Sequence, residues 1–227
     1  MSYFSRVILE PGNYNATKLL KNILSNAYYE HQNLWKLFPH EPDANRDFIY
    51  RCEQKGLARV YYIVSRRKPE QTDAWQVESK PYEPKILEEE LLSFSLRVNP
   101  IIKRKDKEGK AQRHDVVMNT KKRLGYSDLP PSERPAMADL IRESGAKWLH
   151  GRAEECGFVF EDGAIITERY EQYQTYKQGN KGTIRYSTLD FSGILRVTEA
   201  DKFTRTLLNG IGPAKAFGCG LLLVRRS

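Results

Sequence analysis

Cysteine is scarce in this chain: Cys52, Cys156 and Cys219 are the three present among 227 residues. They are widely scattered, so they offer neither a disulfide framework nor zinc-ligand spacing, and they fit a reducing cytoplasm. Histidine is nearly as scarce, with four residues. No two of them stand at metal-ligand spacing, so no metal and no cofactor are expected. No apolar run approaches the roughly 20 residues of a membrane span. The N-terminal MSYFSRVILEPG lacks the apolar core of a signal peptide. A membrane partner is therefore not expected.

What the chain does have is a core and a charge. Hydrophobic residues make up 40% and charged residues 29%, a balance that argues against wholesale disorder. The length suits one large or two small domains. The formal net charge of +8 favours a polyanionic partner.

Residues 3–9 are aromatic and β-branched and read as a strand. Pro11, Gly12 and Asn13 break it, and Asn15 could cap a helix running to about His31. Leu20, Leu24 and Ala27 mark that helix's expected buried face. Trp35, Leu37 and Phe38 read as core anchoring its end. Pro39 and Pro42 enforce a loop. Strands follow over Asp47 to Glu53 and Ala58 to Arg67, then a short helix from Pro69 to Trp75 and a strand from Gln76 to Tyr82. The order β-α-β-β-α-β is the ferredoxin-like unit, with one sheet face left free.

Residues 83–91 read as a linker. Strand 92–99 alternates, with Phe94, Leu96 and Val98 on one side and Ser93, Ser95, Arg97 and Asn99 on the other. A basic loop from Ile101 to Arg113 carries Lys103 and Arg104, and Lys121, Lys122 and Arg123 follow. The stretch to Pro135 is irregular, and a helix is expected from Ala136 to Cys156. Runs 158–176 and 183–197 read as a long hairpin turning at 178–182. Glu199 to Asn209 is a short helix for which Thr198 and Asp201 resemble a capping box, and the chain ends in a strand. The second half repeats the order of the first with longer loops. The expected fold is thus α+β, two tandem ferredoxin-like (RRM-like) domains over residues 1–87 and 92–227.

Tyr28 and His31 stand three apart on the first expected helix, so they share a face. An imidazole beside a phenol can exchange protons near neutral pH. A lone His beside a Tyr is more often structural than catalytic, so the pair alone decides nothing. The expected hairpin mixes Tyr170, Tyr173, Tyr176 and Tyr186 with Arg169, Lys177, Lys181 and Arg185, a combination that can hold phosphates and stack on bases. An exposed hairpin with cross-strand aromatic pairs is the plainer reading. The segment Gly210 to Gly220 is neither a Walker loop nor a dinucleotide fingerprint. Its glycines and Lys215 suit either close packing or contact with an anion.

Four motifs together resemble a known family. They are Tyr28-x-x-His31-Gln-x-Leu-Trp-x-Leu-Phe-Pro39, Arg46-Asp-Phe, Leu96-Arg-x-Asn-Pro100 and Gly210-Ile-Gly-Pro-Ala-Lys-x-x-Gly-Cys-Gly-Leu221. The chain is similar along its whole length to the CasE (Cse) family, the CRISPR repeat-RNA endoribonucleases of the type I-E Cascade complex. The resemblance implies two RAMP domains, metal-independent cutting of precursor CRISPR RNA at the base of the repeat stem-loop, retention of the product, and association with other Cascade subunits. It implies His31 as the catalytic histidine and Tyr28 beside it. The expected RNA contacts are Arg97, Lys103, Arg104, Arg169, Lys177, Lys181, Arg185 and Lys215. The competing reading is a non-catalytic RNA-binding scaffold.

Overall fold

Two antiparallel sheets, each half-covered by helices, divide the chain. The computed structural model describes residues 1–12, 14–39, 47–105, 108–161, 163–176 and 182–226. The first half runs β1 (Tyr3–Leu9), α1 (Tyr14–Ser25), α2 (Ala27–Trp35), β2 (Phe48–Lys55), β3 (Ala58–Ser65) and β4 (Gln76–Pro81). Its strands order β2-β3-β1-β4, which sets the first and third at the centre as in the ferredoxin-like unit.

Three local expectations fail here. The helix expected from Asn15 to His31 is two helices. Asn26 interrupts it with an extended backbone (φ −160°, ψ 121°), and its side chain accepts a bond from the Tyr28 N–H at 2.8 Å. An N-cap inside an apolar run restarts the helix in a new phase. The break also undoes the expected apolar face: Ala16 and Ile23 are buried, while Leu24 is 64% exposed. Residues 69–75 form no helix either. An isolated bridge joins Thr72 to Trp75, and Gln71 Oε1 accepts from the Val77 N–H at 2.9 Å. Its Nε2 donates to the Trp75 carbonyl oxygen, so one side chain serves backbone on both sides of the turn into β4.

The second half runs β5 (Leu91–Val98), β6 (Ile101–Lys105), β7 (Ala111–Asp115), α3 (Val116–Arg123), α4 (Met137–Ala153), β8 (Phe158–Val159), β9 (Ile165–Tyr176), β10 (Thr183–Val197), α5 (Ala200–Asn209) and β11 (Leu222–Arg226). The sheet order is β11-β5-β10-β8, with β9 also paired to β10. This is the ferredoxin-like order again, its second strand split into β8 and β9. Phe94, Leu96 and Val98 are buried as their alternation requires.

The basic loop over 101–113 is instead a hairpin, with Lys103 opposite Arg113 and Arg104 opposite Gln112. The capping box before α5 is absent. Its N-cap is Glu199, which makes no side-chain cap. The Thr198 and Glu199 N–H groups bond the Gly157 carbonyl oxygen at 2.9 and 3.1 Å instead.

Each sheet has its own core, around Leu34, Leu37, Tyr61 and Trp75 in the first half and around Leu96, Trp148, Phe158 and Phe203 in the second. A third cluster of Ile49, Val64 and Leu221, with Phe4, Tyr62, Tyr82 and Leu223 against it, joins the two sheets. The sheet face expected to stay free is therefore partly covered. Burying apolar surface there, at about 25 cal/mol per Å², holds the halves face to face.

Candidate active site and nucleic-acid interface

α2 is placed by a buried carboxylate. Glu30 is 7% exposed. It accepts from Tyr61 Oη at 2.9 Å and from Tyr50 Oη at 3.4 Å, and it pairs with Arg59 Nη2. A charge this deep is tolerated only when paired and hydrogen-bonded. Burial first, then the Glu30 charge, push the Tyr50 and Tyr61 phenols well above their ordinary value, so both remain donors at neutral pH. Because Glu30 is tied to β2 and β3, the rotation of α2 about its axis is fixed.

That rotation sets His31. Its ring is half-buried. It lies tilted against Phe48 at 5.6 Å between centroids and edge-on to Trp35 at 6.0 Å. Tyr28, one turn earlier, is also half-buried. The end of the helix is pinned in turn. Arg67 stands over Trp35 and Phe38, donates to the Pro39 carbonyl oxygen at 2.7 Å and grips both Asp47 oxygens at 2.8 and 2.9 Å. The hydrogen bond from Arg67 holds the Asp47 carboxyl below its ordinary value.

The glycine-rich segment closes on itself. The Ile211 N–H bonds the Gly220 carbonyl oxygen at 2.8 Å, and the Gly220 N–H bonds that of Arg97 at 2.7 Å. Gly210 has φ 72°, and a Cβ there would sit 2.6 Å from the Gly220 oxygen, so no side chain fits. The 3-10 turn Lys215–Phe217 packs on α2, and Tyr50 Oη donates to the Ala216 oxygen at 3.0 Å. Of the two roles open to this loop from sequence, packing is thus directly visible.

A cleft of about 750 Å³ opens where α2 meets β9 and β10. Asn26, Ala27 and Glu30 line it from α2, and Arg51, Arg97, Arg169, Tyr173 and Tyr186 line it from the strands. Tyr28 and His31 lie on the neighbouring stripe of the helix and do not line it. Tyr173, Tyr186 and Phe217 form a stack, with centroids 5.0 and 4.5 Å apart. Arg97 is committed to Asp190 through two 2.7 Å bonds, and the exposed Arg169 pairs with Glu171 at 2.7 Å.

A second groove of about 560 Å³ runs between the β6–β7 and β9–β10 hairpins, lined by Arg113, Gln172, Gln174 and Arg185 among others. Lys103 and Arg104 are exposed on β6 beside it. Lys215 is half-buried in its turn. Lys177, Lys181, His40 and Arg46 lie outside the described residues. The expected contacts therefore fall into two groups: Arg97 and Arg169 in the cleft, and Lys103, Arg104 and Arg185 about the groove.

A family model described as CRISPR associated protein matches residues 2–226. The CRISPR system Cascade subunit CasE of Escherichia coli K12 is 31% identical over 201 residues, covering 87% of this chain and 90% of that protein. The chain belongs to the CasE family. The CRISPR-associated endoribonuclease Cse3 of Thermus thermophilus is 26% identical over 242 residues, 98% of this chain and 99% of that one. Among solved structures, Thermus thermophilus Cse3 bound to an RNA representing a pre-cleavage complex matches with TM-score 0.73 at 23% identity, over 99% of this chain and 98% of that one. Escherichia coli Cas6e matches with TM-score 0.60 at 23% identity, over 99% and 100%. At that identity the likeness carries the fold, two tandem ferredoxin-like units.

Several residues of this CasE-family site escape a sequence reading. Asn26 carries a recognisable N-cap signal, masked by the apolar spacing through Leu24 and Ala27. Glu30 and Arg59 are 29 residues apart, and no local pattern links them. Arg113 joins the groove only because 101–115 folds as a hairpin. Lys36, exposed at the C-cap of α2 with Nζ 3.2 Å from Asn33 Oδ1, reads as solvated surface. Among the described residues no three His, Cys, Asp or Glu side chains gather as metal ligands would. No helix is long and apolar enough to cross a membrane.

Proposed function

We propose that this CasE-family chain is an endoribonuclease. It cuts precursor CRISPR RNA at the base of the repeat stem-loop, keeps the product bound, and assembles with other Cascade subunits. The names of its relatives, a Cascade subunit and an endoribonuclease, support this reading. One geometric observation supports the catalytic part: α2, which packs on the loop and hairpin of the other unit, carries Tyr28 and His31 a turn apart on the stripe next to the cleft, both half-buried and His31 against an aromatic wall.

The reaction is strand scission by the RNA itself. The 2′-OH attacks the adjacent phosphorus, and the 5′-oxygen departs, leaving a cyclic or 3′-phosphate beside a 5′-hydroxyl. His31 delivers the proton to the leaving 5′-oxygen; the proton of the 2′-OH passes to solvent as the oxygen attacks, and Tyr28 orients the scissile phosphate or assists that transfer. No metal or other cofactor enters. A cation near the phosphorus stabilises its extra charge. Lys177 and Lys181 are assigned this part by sequence, and Lys36 is a described cation on the helix end. Lys103, Arg104 and Arg185 hold the stem backbone, with Arg169, Lys215 and the outer edge of Arg97 nearer the cut. The units act as residues 1–87 and 92–227, divided at a stretch without helix or strand from 82 to 90. Three free thiols suit work in the cytoplasm.

The test uses a repeat hairpin in chelator, with end-group analysis. His31→Ala should slow cutting by about 10²–10⁴-fold while hairpin affinity stays within a few-fold. A single 2′-deoxynucleotide 5′ of the cut should abolish cleavage and permit binding. Normal cutting of that deoxy RNA refutes the mechanism. A wild-type protein that binds but never cuts leaves the scaffold reading.

A further inference from the structure

Asn26 makes two kinds of bond at once. Its Oδ1 accepts from the Tyr28 N–H at 2.8 Å and so caps α2. Its Nδ2 donates to the Tyr176 carbonyl oxygen at 2.9 Å, and Thr175 Oγ1 donates to the same Oδ1. Thr175 and Tyr176 end β9, the strand that carries Arg169 toward the hairpin turn. Thr175 is 4% exposed, so its hydroxyl is used inside the protein and not on a ligand.

Capping explains only half of this. A cap needs an acceptor, and aspartate caps as well as asparagine. The amide donor of Asn26 crosses to the other unit, and so does the Thr175 bond to its oxygen. Glu30 ties α2 to strands of its own unit; Asn26 ties it to the hairpin of the second. The geometry matters because the two jobs are divided. RNA gripped by the C-terminal hairpins must bring its phosphate to side chains of an N-terminal helix, and a misplacement of about 1 Å can cost about 10²-fold in rate.

We propose that Asn26, with Thr175, is a positioning residue that holds Tyr28 and His31 in register with RNA bound on the β9–β10 hairpin. This rests on the assignment of His31 to catalysis.

The test compares Asn26→Asp, Thr175→Val and Thr175→Ser in the full chain. Asn26→Asp keeps the cap but removes the donor and sets a carboxylate against the Tyr176 carbonyl. Thr175→Val removes the hydroxyl at nearly constant volume, and Thr175→Ser restores it. Single-turnover cleavage should slow by about 10- to 100-fold in Asn26→Asp and Thr175→Val and recover in Thr175→Ser. Affinity for a hairpin with a 2′-deoxynucleotide at the cut, and the urea unfolding midpoint, should stay near wild type. The Asn26→Asp, Thr175→Val double variant should be no slower than the slower single, since both break one junction. Wild-type rates in both singles, a rate loss matched by lost affinity or stability, or no recovery in Thr175→Ser overturns the proposal. His31→Ala runs alongside. If it is inactive while the junction variants cut normally, only the junction fails; if it cuts normally, the catalytic assignment fails and takes the junction with it.

Discussion

Removing the Glu30 carboxylate is a severe single change outside the apolar cores. The Glu30 side chain is 9% exposed and that of its partner Arg59 20%, so Glu30→Ala strands a cation in a largely dry place. Breaking such a pair by deleting one partner costs about 3–5 kcal/mol. Tyr61 loses the acceptor of its O–H as well, while Tyr50 keeps the Ala216 carbonyl oxygen at 3.0 Å; a buried group left unsatisfied costs about 1–3 kcal/mol. These penalties overlap, so the expected loss is at least about 3 kcal/mol, a large part of the 5–15 kcal/mol by which domains are stable.

The measurement is urea unfolding followed by tryptophan fluorescence, which Trp35 and Trp75 report from this core. Glu30→Gln keeps an acceptor for one phenol and should recover part of the hydroxyl cost, but not the charge cost. The double replacement Glu30→Leu, Arg59→Met removes both charges and should be far milder than Glu30→Ala. A Glu30→Ala loss below about 1 kcal/mol, the value of an exposed pair, would refute the reasoning. So would a double variant as unstable as the single.

Asp47 gives a pH signature. Its folded pKa lies below the ordinary 3.8 because Arg67 donates to it. The stability it contributes is therefore complete above that ordinary value and lost as pH falls through the lower folded one. Asp47→Asn should flatten acid unfolding in that window, and an unchanged acid profile would contradict the pairing. Gly210→Ala forces a side chain into φ 72° beside the Gly220 oxygen; a loss of about 1–3 kcal/mol is expected, read by thermal unfolding. If Lys103 and Arg104 hold phosphates, replacing either with alanine should lower RNA affinity and reduce the salt slope by about 1. A slope equal to wild type would remove that residue from the interface.

Where pattern is local, the sequence is a reliable guide. The alternation of Phe94, Leu96 and Val98 orients β5, because a pleated strand sends successive side chains to opposite faces. The two long runs expected as a hairpin pair antiparallel as β9 and β10; their turn, expected at 178–182, lies largely outside the described residues. Tyr28 and His31 are visible as neighbours because three residues nearly complete a helical turn. The errors are also instructive. The apolar spacing through Ala27 suggested one helix because periodicity does not register a cap that restarts it. Residues 101–113 read as a basic loop because an exposed hairpin, Lys103 facing Arg113, buries little and so carries no apolar alternation.

By itself the chain's amino-acid order determined the strand order along each half, the basic character of the second and a helical segment that bears the imidazole. Each follows from contacts within a few residues or from composition. Only tertiary structure decided which partners that helix answers to: Glu30 with Arg59, the glycine loop closed on itself under Tyr50, and Asn26 with Thr175, which are 149 positions apart. Such pairings arise because buried polar groups must find partners wherever folding brings them, and distance along the chain carries no trace of that requirement.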